Sequence, residues 1–164
     1  MTAAILMRLA RPEDPPLLEA IREAAFAPVF ASFREILGDA LYETVQLHED
    51  QAQSELLAAL LSAGSKWEVY VAEVAKTVVG FVAVQLNQVT RVGEIGLNAV
   101  HPDWAGQGIG TAMYEFALSR MKEAGMRAAT VATGADASHA PARRAYQKAG
   151  FAAQIPSVWM CRWV

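Results

Sequence analysis

The sequence predicts an α+β fold, a central mixed sheet flanked by helices. Three observations point there. A block rich in Val, Phe and Tyr spans Trp67–Val100. The glycine-rich stretch Gly106–Gly110 joins its last segment to the clearest amphipathic pattern of the chain. Strand and helix signals then alternate to the C-terminus.

Taken in order, Ala4–Arg8 has the make-up of a short first strand, and Arg11-Pro12-Glu13-Asp14 breaks it. Pro15-Pro16 opens a helical pattern in which Leu17, Leu18, Ile21, Ala24 and Ala25 recur at helical spacing. Pro28 is expected to interrupt that helix, leaving Val29–Leu37 as a second piece that ends at Gly38. Asp50–Leu61 reads as a helix with Leu56, Leu57, Leu60 and Leu61 on one side. Trp67–Glu73 and Thr77–Gln85 read as strands joined by a turn at Val74–Lys76. Val92–Val100 is a further strand, and its internal Gly93 and Gly96 imply a bulge or a close approach. Ile109–Ala124 carries Ile109, Ala112, Met113, Phe116, Ala117 and Met121 as a helical stripe, closed by Gly125. Arg127–Thr133 is a strand and Ser138–Ala149 a helix capped by Gly150. Ser157–Trp163 is expected to be the last strand.

Bulk composition removes several function classes. The net charge of −3 lacks the basic excess of a nucleic-acid binder. The single cysteine, Cys161, excludes an internal disulfide, and its apolar surroundings predict a buried structural thiol. No apolar stretch approaches the ~20 residues of a membrane span, and no secretory signal is evident. The expectation is one domain over residues 1–164, in the cytoplasm. His48, His101 and His139 show no metal-ligand spacing, so no metal is expected.

The loop Gly106-Gln107-Gly108-Ile109-Gly110-Thr111 carries the chemistry. Glycines let backbone N–H groups approach an anion, and the following helix adds the positive end of its dipole. A P-loop needs Lys before its Ser or Thr, and none precedes Thr111. A dinucleotide fingerprint needs its third glycine one position later and a downstream carboxylate. Arg127–Thr133 has no carboxylate.

The run His101-Pro102-Asp103-Trp104-Ala105-Gly106-Gln107-Gly108-Ile109-Gly110-Thr111 resembles the acetyl-CoA loop of the GNAT N-acetyltransferase superfamily. A second stretch, His139-Ala140-Pro141-Ala142-Arg143-Arg144-Ala145-Tyr146-Gln147-Lys148-Ala149-Gly150-Phe151, resembles that family's last helix. The resemblance covers roughly Trp67 to the C-terminus. It departs from the pattern at Ala105, where Gln or Arg is usual, and at His139, where Asn is frequent. It implies about six to seven strands and a V-shaped opening between Val92–Val100 and Arg127–Thr133. It further implies acetyl-CoA as cosubstrate, held by Asn98, Ala99 and Val100 along the strand and by Ala105, Gly106, Gln107, Gly108, Ile109, Gly110 and Thr111 at the loop. His139 and Arg143 would add contacts from the helix.

The same resemblance implies an N-acetyltransferase whose partner is a small-molecule or peptide amine acceptor. Nucleic acid and membrane are not implied, and a homodimer is compatible. The alternative is an acyl-CoA-binding regulatory module without turnover. Tyr146 takes the place of a catalytic acid. A thiol has an ordinary pKa of about 8.5 and a phenol of about 10, so a hydrogen bond to the departing thiolate is favourable even where full proton transfer is uphill. Glu94 takes the place of a base, directly or through water. An amine of pKa about 10.4 is only ~0.04% neutral at pH 7, so a proton must be removed before attack. Strand alternation puts Glu94, Gly96 and Asn98 on one face unless a bulge intervenes. Phe26, Phe30, Phe33 and Tyr42 are candidates for the acceptor side or for core.

Overall fold

The computed structural model describes residues 4–164, and the first residue of the expected strand, Ala4, precedes the ladder. The elements are β1 (Ile5–Leu9), α1 (Pro15–Leu37), α2 (Asp39–Val45), α3 (Leu47–Gln51), α4 (Gln53–Leu60), β2 (Trp67–Val74), β3 (Thr77–Asn87), β4 (Val92–Val100), α5 (Ile109–Glu123), β5 (Ala128–Val131) and α6 (Ala140–Lys148). Single 3₁₀ turns at Pro102–Trp104 and Ala137–His139 precede α5 and α6.

The five strands form one mixed sheet in the order β1-β2-β3-β4-β5. The first four pair antiparallel, and β5 pairs parallel to β4. Ala75 and Lys76 turn the β2–β3 hairpin with φ of 48° and 68°, the left-handed geometry that matches strand twist in a two-residue loop.

Each face of the sheet is buried under helices. Val82, Val84 and Ile95 pack against Met113, Ala117 and Met121 of α5, with Tyr146 of α6 at the edge of the cluster. Val71, Phe81, Ala83 and Ala99 pack against Leu18 and Ile21 of α1 and Leu57 and Leu60 of α4. Arg8 of β1 ties the start of α1 to the sheet, reaching Asp14 and Glu73 at 2.7 Å each.

Three expectations need correction. The helix does not stop at Pro28. Pro28 removes one i→i−4 bond, yet α1 continues to Leu37, and past the proline Ser32 and Phe33 contact Asp136 and His139. The segment before Leu61 is divided into α2, α3 and α4, and Asp39–Val45 is helical although no helix was expected there. Ser157–Trp163 forms no strand. Val158, Trp159, Met160 and Trp163 are exposed and Cys161 is half-buried. Alternating apolar residues favour a strand only where a partner edge takes up the hydrogen bonds, and this segment has none. The described sheet therefore has five strands rather than six to seven.

Candidate functional site

The site begins at a fault in the β3–β4 ladder. Val82 pairs with Asn98, but Val84 pairs with Ile95, so Gly96 and Leu97 together oppose Ala83. This is a β-bulge, and it resets the alternation. Ile95 packs into the α5 cluster, whereas Leu97 and Ala99 pack on the α1 side. Asn98 points to α5 and α6, where its side chain bonds to Tyr114 and Tyr146. Glu94, the neighbour of Ile95, lies on the opposite, α1 face. The bulge thus separates Glu94 from Asn98, which simple alternation would have kept together. Gly93 and Gly96 have separate reasons. A Cβ at Gly93 would come within 2.5 Å of Met121, and one at Gly96 within 2.5 Å of the Trp67 ring.

β4 and β5 pair only over Val92–Ile95 and Ala128–Val131. Beyond Ile95, the edge of β4 that faces β5 carries no ladder. The opening is a cleft of about 740 Å³, within the range of small-molecule sites. Asn98, Ala99 and Val100 form one wall, Ala132 and Thr133 the other, and Ala25, Phe26, Pro28 and Val29 of α1 reach in from one side.

At the wide end lies the glycine loop. Gly106 and Gly108 have φ of 76° and 81°, a conformation that costs an L-residue roughly 1–2 kcal/mol. The first bond into α5 is Ala112 N–H to Gly108 O at 3.0 Å. The N–H groups of Ile109, Gly110 and Thr111 therefore lack intrahelical partners, as the first turn of any helix must. Those of Gly106, Gln107 and Gly108 also have none among the described residues. Six successive N–H groups at a helix N-terminus make an anion cradle. Ala105, Gly106, Gly108, Ile109, Gly110 and Thr111 all line the cleft. Gln107 does not; its amide lies 3.5 Å from Asp103 O. His101 accepts from Asp103 N–H at 3.2 Å and caps the turn that leads into the loop.

At the inner end a polar chain holds Tyr146. Asn98 Nδ2 donates to Gly96 O at 2.9 Å and to Tyr146 Oη at 3.0 Å. Gly96 O can only accept, which fixes the amide orientation. Asn98 Oδ1 then accepts from Tyr114 OH at 2.8 Å. Tyr146 is an acceptor in this chain, so its own proton remains for a group in the cleft. Its ring is buried against Tyr114, with centroids 4.4 Å apart, and against Phe151 at 6.0 Å. Burial, followed by the proximity of Tyr146, raises the Tyr114 hydroxyl far above its ordinary pKa, so Tyr114 stays a neutral donor.

On the α1 side, His139 and Asp136 form a second polar group. His139 lines the cleft, stacks on Phe33 of α1 with centroids 6.0 Å apart, and places Nδ1 2.5 Å from Asp136 Oδ1. Asp136 Oδ2 accepts from Ser32 Oγ of α1 and from Ser138 N–H, each at 3.1 Å, and from Ser138 Oγ. Burial alone would raise the Asp136 pKa. The hydrogen bonds from Ser138 and His139, the charge of His139 and the bond from Ser32 outweigh it and hold the carboxyl at about 2.

Arg143 is not where a phosphate contact was expected. Its Nη1 donates to Gly134 O at 2.6 Å and Asp136 O at 2.7 Å, which pins the β5–α6 connection, and Arg144 lines the cleft instead. Phe30 and Tyr42 belong to a separate cavity of about 300 Å³ under α1, with Arg22 and Asp50. There, burial and the bond to Asp50 push the Tyr42 hydroxyl up to about 12. Glu94 lines the main cleft, exposed.

Sequence reasoning overlooked Tyr114, Asp136 and Ser32. Tyr114 carried a signal, because it sits four residues after Gly110 on the same helical face. Asp136 and Ser32 are 104 positions apart and carried none. Among the described residues no three His, Cys, Asp or Glu side chains are grouped to hold a metal, and no helix is long and apolar enough to cross a membrane.

Comparison with solved structures places the same fold in acetyltransferases. A GNAT family acetyltransferase from Brucella melitensis in complex with acetyl-CoA matches with a TM-score of 0.65 at 23% identity, over 92% of this chain and 84% of that one. The ribosomal-protein-S18-alanine N-acetyltransferase from Escherichia coli matches with a TM-score of 0.65 at 16% identity, over 90% and 77%. An aminoglycoside acetyltransferase from an uncultured soil metagenomic sample, in complex with sisomicin, matches with a TM-score of 0.57 at 20% identity, over 98% and 96%. At these identities the likeness is one of fold. None of the curated proteins matches this chain. The model of the acetyltransferase (GNAT) family matches residues 30–151, from the middle of α1 through the glycine loop to the end of α6, and on that match the chain belongs to the GNAT acetyltransferase family.

Proposed function

We propose that this chain transfers an acetyl group from acetyl-CoA to the nitrogen of a primary amine, with residues 1–164 acting as one cytoplasmic domain. The observation that carries the reading is the juxtaposition, in one cleft, of the anion cradle at Gly106–Thr111 with the Tyr146 hydroxyl held by Asn98. The cradle suits a pyrophosphate, and the unpaired edge of β4 at Asn98–Val100 suits the amides of a pantetheine arm. Acetyl-CoA supplies the activated thioester; this chain's residues bind, orient and move protons around it.

Tyr146 is positioned to donate its hydroxyl proton toward a departing thiolate, because Asn98 occupies its acceptor side. Gly106, Gly108, Ile109, Gly110 and Thr111 hold phosphate through backbone N–H groups, and with Ala105 in place of a longer side chain the backbone supplies most of that grip. The acceptor amine approaches from the α1 side, where Phe26 and Val29 offer apolar surface and Glu94 a carboxylate that attracts a cation.

The test is thiol release from acetyl-CoA with a panel of primary amines: an aminoglycoside, a polyamine and a peptide with an N-terminal alanine. The expected result is turnover with at least one amine, and a kcat for Y146F lowered by about 10²-fold with little change in acetyl-CoA affinity. Saturable acetyl-CoA binding with no turnover across the panel would support a regulatory binding module instead.

A further inference from the structure

We propose that His139, oriented by Asp136, is the group that takes the proton from the acceptor amine; this rests on the acetyl-transfer reading above. The geometry defines which imidazole nitrogen is available. A carboxylate can only accept hydrogen bonds, so the Nδ1 that lies 2.5 Å from Asp136 Oδ1 carries the proton of the neutral ring. Nε2 is left with its lone pair. It has no hydrogen-bond partner among the described residues, yet it is not a fully buried orphan, since Arg22 Nη1 is the one such side-chain atom among them. His139 lines the cleft, and Nε2 is the ring nitrogen that Asp136 leaves unengaged.

The surroundings hold this arrangement from three elements. Ser32 of α1 and Ser138 both bond to Asp136 Oδ2. Phe33 stacks on the imidazole. Arg143 of α6 ties down the carbonyls of Gly134 and Asp136. Any side chain at Gly134 would strike the His139 ring, so the tight approach depends on glycine there. The titratable and charged groups that face His139 or share its cleft are Asp136, Arg143, Arg144, Lys148, Glu94, Tyr114 and Tyr146; from α1, Ser32 bonds to Asp136 and Phe33 stacks on His139. Asp136, held at about 2, is ionised at any pH where the enzyme works. Glu94, by contrast, is exposed and has no hydrogen-bond partner among the described residues, so nothing orients it.

Position completes the case. His139 meets α1, on the face from which the amine arrives, while Tyr146 stands seven residues further along the same chain segment and faces α5. Both proton-handling groups line the same cleft, His139 against α1 and Tyr146 against α5. An acceptor ammonium gives one proton to His139 Nε2. The neutral nitrogen attacks the thioester carbonyl, the C–N bond forms, and the C–S bond breaks with its electron pair going to sulfur. The thiolate takes a proton from Tyr146, which is replenished by the second amine proton. His139 then releases its proton to solvent. The balance is one amide, one thiol and one proton released per turnover.

The experiment is the pH dependence of kcat/KM for the best acceptor in the amine panel, in wild type, H139N and H139A. Asparagine is favoured at a helix N-cap, the place His139 holds on α6, and its amide can still donate to Asp136, so H139N keeps the fold and lacks only the base. The expected loss at pH 7 is about 10²-fold or more, shrinking toward pH 10, where the amine sheds its own proton. KM for acetyl-CoA should change less than about twofold, and added imidazole should restore part of the H139A activity but none of D136N, in which the imidazole is still present. Two results overturn the proposal: H139N within about threefold of wild type across the range, or a pH-independent loss with a raised KM for acetyl-CoA, which would mark His139 as a cosubstrate contact. Wild-type enzyme that releases no thiol with any amine overturns the acetyl-transfer reading itself, and the proposal with it.

Discussion

Asn98→Asp tests the polar chain around Tyr146 most directly, because it keeps the side chain's shape while removing its donor and adding one charge. Asn98 Nδ2 donates to Gly96 O at 2.9 Å and Tyr146 Oη at 3.0 Å, and Oδ1 accepts from Tyr114 at 2.8 Å. A carboxylate keeps the bond from Tyr114 but cannot donate. Gly96 O loses its side-chain partner, and Tyr146 must turn its proton toward the new carboxylate, away from the cleft. The catalytic loss is that of one hydrogen-bond donor to developing negative charge, about 10²–10³-fold in kcat, or roughly 3–4 kcal/mol. The N98D variant should therefore fall to within about threefold of Y146F. The double variant should be no worse than either single one, since both remove the same proton donor. Stability should drop by about 1–3 kcal/mol from the unpaired carbonyl and the partly buried charge. The assay is a double-mutant cycle on kcat by thiol release, at saturating acetyl-CoA, with urea unfolding to confirm that all three variants are folded. Multiplicative losses in the double variant would refute the reasoning, because they would show that Asn98 and Tyr146 act separately.

Other outcomes follow from local geometry. Gly108→Val forces a β-branched residue to φ near 81° and misdirects the cradle, so acetyl-CoA affinity should weaken at least about tenfold for a strain near 1–2 kcal/mol, measured by titration of the folded variant. Gly96→Ala brings a Cβ within 2.5 Å of Trp67 and should cost about 1–3 kcal/mol of stability, read from urea midpoints. Asp136 has a folded-state pKa depressed from 3.8 to about 2. Its contribution is present above pH 4 and is lost as pH falls through 2; a shift of just under two pKa units corresponds to about 2.5 kcal/mol. D136N should be less stable than wild type by about that amount at pH 7, with the gap closing by pH 2, as followed by unfolding curves across that range.

The elements that carry the fold were readable because their patterns are local. β2, β3 and β4 announce themselves by β-branched and aromatic residues, and α5 by its stripe and the glycine at each end. The cradle was readable for the same reason: Gly106, Gly108 and the first turn of α5 are neighbours in sequence, and the N–H groups that matter belong to the backbone. The errors arose where a local signal was outweighed or left unused. Pro28 signals a break, but α1 runs on past it to tertiary contacts with Asp136 and His139. Val158 to Trp163 signals a strand, but a strand is a pairing, and β-propensity does not supply an edge.

By itself, then, the sequence determined a mixed sheet flanked by helices and a glycine loop at a helix N-terminus, both within reach of nearest-neighbour chemistry, while Tyr146 on the last helix was singled out by its motif's likeness to the GNAT family. Tertiary structure decided which face each β4 residue meets, since the extra residue at Gly96–Leu97 inverts the alternation and parts Glu94 from Asn98. It also decided that Tyr114, sixteen residues from Asn98, and Ser32, 104 residues from Asp136, complete the polar chains on the two sides of the cleft. The physical reason is the same in both cases. A hydrogen bond depends on where two atoms lie in space, and for groups that far apart along the chain only the packing of α1, α5 and α6 on the sheet sets that distance.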